Sequence, residues 1–291
     1  MLNVILIDSF IHNKNKNALM KYKNIKFHII QNIDNLYKLN LTEFDAVYSP
    51  SQPINVSKFP NIKFIFGPHF SVLPKISDIL IIKGKNSIYI QPCDWSVNIW
   101  REMIGFSNIK INIKILSLPF GVDTNKYNQI STNREQVFLY FKNRNPIELN
   151  LILDFLKYKN ISVKIFDYSK KYPEEEYLNY LHNSKYGIWL GRHESQGFAL
   201  EEALSCNVPL FVWNVKSMKQ EHNSLYKDIY ASTIPYWDER CGEYFYNITE
   251  LENCFNKFIS KLDTFKPREY VLENLSMEVC EKKMINIIKN E

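Results

Sequence analysis

Two glutamates, Glu194 and Glu202, stand with seven residues between them in the run Glu-Ser-Gln-Gly-Phe-Ala-Leu-Glu-Glu-Ala-Leu-Ser that begins at 194. Gly197 lies between them, where backbone can approach a ligand with no side chain in the way. After it, Phe198, Leu200, Ala203 and Leu204 fall at helical offsets. The amides of Gly197, Phe198, Ala199 and Leu200 therefore read as a helix N-terminus, which suits a phosphate. Carboxylates accept hydrogen bonds and polyol hydroxyls donate them. Acids on either side of a phosphate-seeking helix end fit a ligand that carries both groups, such as a nucleotide-sugar. The plainer alternative is that Glu194 caps the helix while Glu201 or Glu202 lies in solvent, as acids early in helices often do. Lys142 and Arg144 add fixed cations just before a helix-opening Pro146. Arginine can hold phosphate through two parallel bonds, although two solvated loop cations would give the same sequence. His69, in the turn Phe-Gly-Pro-His-Phe-Ser from 66 to 71, reads equally as a ligand-facing group or as a cap for its own turn.

The elements that must position these groups form two α/β series. Short apolar runs at 186–190 and 209–213 read as strands covered on both faces. With a turn at 191–197 and a helix at 198–206, they make a βαβ unit, and ligands collect at the first turn of such units. Upstream, strands are expected at 3–7, 25–30, 45–48, 62–66, 87–91 and 111–118, with helices at 14–22, 33–39 and 93–106. The polar segment 124–135 reads as an interdomain linker. Beyond it come a strand at 137–141, a helix at 146–158, a strand at 162–166 and a helix at 173–183. After the βαβ unit come 233–237, a turn at Cys241 and Gly242, and helices at 249–262 and 267–290.

The 291 residues suffice for one large or two ordinary domains with real cores, and 45% hydrophobic content with 14% aromatics favours a well-packed globular chain over a disordered one. The net charge of +5 is scattered along the sequence, which gives nucleic acid no concentrated footprint. It leaves room for a weak peripheral attraction to anionic membranes. The five cysteines make no Cys-x-x-Cys pair, as suits a reducing, cytoplasmic compartment. The opening Met-Leu-Asn-Val-Ile-Leu-Ile-Asp-Ser-Phe turns polar too soon for a signal peptide. P-loop, Gly-x-Ser-x-Gly, His-Glu-x-x-His and Gly-x-Gly-x-x-Gly patterns are absent from the eight-glycine sequence. An Asp-x-Asp pair that would bridge a divalent metal to a diphosphate is absent too, so no metal ligand is assigned.

The segment 194–209 resembles the signature of retaining glycosyltransferases of family four: Glu194, Gly197 three residues on, Glu202 eight on, then Ala203 and later Pro209 opening a strand. Pro119-Phe120-Gly121-Val122-Asp123-Thr124 and Tyr127 resemble the family's Gly-Val-Asp segment at the domain junction. The resemblance implies the GT-B fold, two doubly wound Rossmann-like domains facing a cleft. The expected division is an acceptor-side domain at 1–122, a nucleotide-sugar-binding domain at 123–273 and a helix at 274–291 that packs back on the first. It implies that Glu194 contacts the donor sugar and Glu202 the ribose hydroxyls. The diphosphate would lie on Gly197, Phe198, Ala199 and Leu200, within a clamp of Lys142 and Arg144. Glu194, His69 and Lys142 would be the catalytic set.

The expected activity is retaining, metal-independent transfer of a sugar from a nucleoside-diphosphate sugar to a glycan, lipid or protein acceptor, with no cofactor besides that donor. Two departures stand out. The family's N-terminal Gly-rich loop is missing, and Lys142 and Arg144 lie closer together than its usual Arg and Lys. The missing loop and the short first domain motivate a second reading, a non-catalytic nucleotide-sugar-binding or scaffold subunit of the same fold; a third reading is an unrelated flavodoxin-like binding protein.

Overall fold

The computed structural model describes residues 1–107, 113–131 and 133–291. The chain divides into two compact units, Met1–Gly121 with Met277–Glu291, and Val122–Ser276. Among the described residues no helix is long and apolar enough to cross a membrane.

The first unit runs β1 (Leu2–Ile7), α1 (Asn13–Met20), β2 (Ile25–Ile30), β3 (Ala46–Ser49), β4 (Lys63–Phe66), α2 (Ile76–Ile82), β5 (Ser87–Gln91), α3 (Asp94–Gly105) and β6 (Lys114–Ser117). All its strands pair in parallel, in the order β2-β1-β3-β4-β5-β6. Chain order reverses at β1, which lies between β2 and β3, so the switch point follows Ile7 and Ser49. There the Ser9 and Ser51 hydroxyls meet at 2.7 Å. Ile5, Ile7, Val47, Phe64, Phe66, Tyr89 and Trp100 fill one side of the sheet.

The second unit runs β7 (Gln136–Lys142), α4 (Pro146–Tyr158), β8 (Lys164–Asp167), α5 (Glu174–Asn183), β9 (Ser184–Gly191), α6 (Phe198–Ser205), β10 (Leu210–Trp213), β11 (Gly242–Phe245), α7 (Leu251–Ser260) and α8 (Pro267–Asn274). A final helix, α9 (Met277–Asn290), belongs to the first unit. Lys63 Nζ donates to its last-turn carbonyls Ile287 O (3.2 Å) and Ile288 O (2.6 Å), a cation at the negative end of the helix.

The second sheet is also parallel, ordered β11-β10-β9-β7-β8. Its faces explain the apolar runs. Tyr186, Ile188 and Leu190 of β9 pack with Ile152 and Leu156 of α4 and with Phe255 and Phe258 of α7. Trp189 on the opposite face packs with Tyr177 and Leu181 of α5 and with Leu200 and Leu204 of α6. Leu200 and Leu204 are fully buried, each stabilising by about 1.5–3 kcal/mol. They fix where the start of α6 points. Asn145 caps α4 through Ile147 N–H at 3.0 Å, with Pro146 in the first turn.

Several expectations need correcting. The segment 33–39 is a 3-10 turn, Ile33–Lys38, and not an α-helix. The helix α2 falls where the sequence reading placed none; its Ile-rich run shows no clean polar face. Gly242, read as a turn, opens β11 and pairs with Leu210. The single helix expected at 267–290 is two, because Val122 N–H takes the Leu275 carbonyl at 2.9 Å and Val122 bridges Ser276. Of the strand expected at 111–118, residues 111 and 112 lie outside the described residues. The segment 124–135 is no loose linker. The Tyr127 carbonyl accepts from Arg268 Nη1 at 3.0 Å and from the Ser205 hydroxyl, and Arg134 donates to Cys206 O and Asn207 O. Thr132 of this segment lies outside the described residues.

Candidate functional site

In the second sheet β7 lies between β8 and β9, so chain order reverses at its carboxyl end. Lys142 and Gly191, the last residues of β7 and β9, are register partners, and Arg192 N–H donates to Lys142 O at 2.8 Å. Chains splay apart at such a switch point, leaving a crevice for ligands.

Lys142 Nζ stands 2.5 Å from Glu194 Oε1, and both side chains are about 11% exposed. The Tyr168 ring, half exposed at the end of β8, lies 4.3 Å from the same ammonium. Glu194 is further anchored by its N–H to Ser232 O at 2.9 Å. Gly197 caps α6 at φ +71°, a conformation that costs an L-residue about 1–2 kcal/mol. A Cβ there would sit 3.5 Å from Glu194 Cβ and from Pro235 Cγ, in ordinary contact. Conformation and not crowding asks for glycine at 197.

Of the four helix-end residues expected to face phosphate, Leu200 drops out, because its N–H goes to Gly197 O at 2.9 Å. The amides of Gly197 and Ala199 have no acceptor among the described residues. Glu201 and Glu202 are both buried, so neither is the solvated acid of the plainer alternative. Gln196 Nε2 donates to Glu201 Oε1 at 2.6 Å, which ties the turn to the helix. Glu202 faces the Tyr127 hydroxyl, whose pKa is pushed up first by burial and then by that carboxylate.

Arg144 does not stand as a phosphate clamp. Its side chain is fully buried: Nε and Nη2 donate to the two Glu148 oxygens at 2.8 Å each, and Nη1 donates to Gly191 O and Trp213 O at 3.2 and 3.0 Å. Every guanidinium nitrogen is used, so Arg144 braces the ends of β9 and β10.

The groups that sequence reasoning missed or left secondary lie beside this crevice. Arg192 Nη1 donates to Glu221 Oε2 at 3.0 Å, and Asn143 Nδ2 to Glu221 Oε1 at 3.2 Å. His193 Nδ1 is 3.6 Å from the same carboxylate. Its pKa is lowered to about 4, first by burial and then by the Arg192 charge. Glu221 follows a short 3-10 turn, Met218–Gln220, in a loop with no periodicity to mark it.

His69 belongs to the first unit, in the turn after β4 at the carboxyl edge of its sheet. His12 N–H (3.5 Å) and Asn15 Nδ2 (3.1 Å) approach its Nε2. A backbone N–H can only donate, so Nε2 accepts and the ring proton sits on Nδ1. Burial, then His12, lowers the His69 pKa to about 4, so the ring is neutral near pH 7. Among the described residues no group of three His, Cys, Asp or Glu side chains gathers as metal ligands.

No protein-family model matches the sequence, and a search of curated proteins returns no match. Solved structures do. A sucrose-phosphate synthase from Thermosynechococcus elongatus is similar over 99% of this chain and 98% of its own, at 10% identity and a TM-score of 0.56. The N-terminal domain of Candida albicans trehalose-6-phosphate phosphatase is similar over 98% and 96%, at 10% identity and a TM-score of 0.57. A GtfA/B complex is similar over 80% of this chain and 54% of that one, at 12% identity and a TM-score of 0.50. With the two parallel sheets, these likenesses give the chain the two-domain Rossmann-like architecture of the GT-B fold.

Proposed function

We propose that the chain is a retaining glycosyltransferase that moves a sugar from a nucleoside-diphosphate sugar to a glycan, lipid or protein acceptor. The observation that carries this reading is the gathering of Lys142, Glu194 and Gly197 at the β7–β9 switch point, with Glu202 further along α6.

The resting Lys142–Glu194 pair is exchanged when donor arrives. Lys142 turns to the diphosphate, joined by the Gly197 and Ala199 amides, and Glu194 is released to accept from sugar hydroxyls. Glu202 keeps acceptor capacity beside Tyr127, since a carboxylate offers about four lone-pair sites, and takes the ribose hydroxyls. As the bond between the sugar C1 and the phosphate oxygen breaks, charge gathers on the diphosphate, where the fixed cation and amides stabilise it. The acceptor oxygen bonds to C1 on the same face, and its proton passes to the leaving phosphate oxygen. His69, neutral with its proton on Nδ1, is assigned to the acceptor side. Lys142 and the helix end supply the positive charge, so the scheme asks for no metal.

The test is incubation with UDP-, GDP- and ADP-glucose, following anomeric protons by NMR. Product or slowly released sugar that first appears with the donor's anomeric configuration supports the proposal. The inverted configuration overturns retention, and binding without turnover favours the non-catalytic subunit.

A further inference from the structure

In the proposed scheme Lys142 is a single side-chain cation facing a diphosphate, and Arg144 is consumed within the protein. Arg192 leaves the carboxyl end of β9 as Lys142 leaves that of β7, and the backbone bond of 2.8 Å between them holds the two origins side by side. The two arginines are used differently. Arg144 donates from all three nitrogens with no exposed side-chain surface. Arg192 donates from Nη1 alone to a side-chain acceptor, its Nε has no acceptor among the described residues, and its side chain is 28% exposed. A guanidinium with unused donors on adjacent nitrogens matches a phosphate's paired oxygens.

The geometry points to Arg192 as a second phosphate-binding residue of the proposed donor site, with Glu221 as a built-in counter-ion that the ligand's diphosphate replaces. This inference rests on the functional reading above. At rest the crevice is neutralised internally by two ion pairs, Lys142–Glu194 and Arg192–Glu221. In the second pair the arginine is the more exposed partner, 28% against 11% for Glu221. Glu221 is not stranded when Arg192 turns away, because Asn143 Nδ2 still donates to its other oxygen at 3.2 Å. Glu221 also carries its loop: His222 N–H donates to Asn143 O at 2.9 Å, and the Tyr226 ring packs edge-on against His193 at 5.4 Å.

The test is calorimetric titration of the full chain with inorganic pyrophosphate and, separately, with UDP, GDP and ADP, each protein first checked for a cooperative thermal transition. Arg192→Gln is expected to weaken pyrophosphate binding at least tenfold, and Glu221→Gln to tighten it severalfold by removing the competing anion. Arg192→Lys, which keeps charge without the fork, falls between wild type and Arg192→Gln and serves if the glutamine variant does not fold. Unchanged affinity in a folded Arg192 variant, where Lys142→Gln loses binding, overturns the assignment and leaves the functional reading standing. Weaker binding in a folded Glu221→Gln overturns the counter-ion exchange. Absence of pyrophosphate and nucleoside-diphosphate binding in the wild type overturns both.

Discussion

Lys142 Nζ and Glu194 Oε1 stand 2.5 Å apart where β7 and β9 diverge, each nearly buried. The groups assigned to phosphate and to sugar thus neutralise one another until a ligand separates them. Lys142→Ala removes the cation and leaves Glu194 buried without it. A hydrogen bond to a charged group contributes about 1.5–3 kcal/mol, so nucleoside-diphosphate affinity should fall ten- to hundredfold by calorimetry.

Arg144→Ala should be a stability variant. It deprives the Gly191 and Trp213 carbonyls of donors and leaves Glu148 without its partner. Breaking a buried pair costs about 3–5 kcal/mol, and the partly exposed Glu148 places the loss at the low end, about 3 kcal/mol. Urea unfolding at neutral pH checks this. A midpoint equal to wild type would remove the bracing role.

The contrast between Lys142 and Arg144 marks how far the sequence could be read. The buried parallel strands were legible because apolar runs bounded by turns have few other fates. So was the strand–turn–helix at 184–205, where Gly197 and the two acids sit at informative spacing. Arg144 was not legible as a brace, because the carbonyls that consume it, 47 and 69 residues away, meet only in the folded sheet. Glu221 is 29 residues beyond Arg192 and carries no pattern of its own. The break between α8 and α9 has no Gly or Pro at Leu275 or Ser276; a backbone bond from Val122 makes it.

Gly197→Ala should cost about 1–2 kcal/mol through its left-handed φ alone, since the Cβ finds ordinary contacts at 3.5 Å. Gly197→Asn should lose less, as asparagine visits this region more readily. Thermal unfolding of the two variants measures the order. An alanine variant as stable as wild type would show that α6 can start without this cap.

Acid should erode stability partly through the histidines. His69 and His193 have folded pKa values of about 4, below the ordinary 6.5. Between these values the unfolded chain binds protons that the folded chain refuses, so this contribution is intact above pH 6.5 and lost as pH falls toward 4. His193→Gln should reduce the drop in Tm between pH 6.5 and 4 relative to wild type. An equal drop would mean that His193 titrates normally.

The most direct measurement is titration of wild type and Glu202→Ala with UDP, GDP and ADP in EDTA-containing buffer. The account predicts that the wild-type chain binds at least one of the three, that EDTA leaves the affinity unchanged, and that Glu202→Ala binds it at least tenfold more weakly while retaining a cooperative transition. Failure of all three nucleotides to bind the folded wild-type chain, with or without added Mg²⁺, would contradict it.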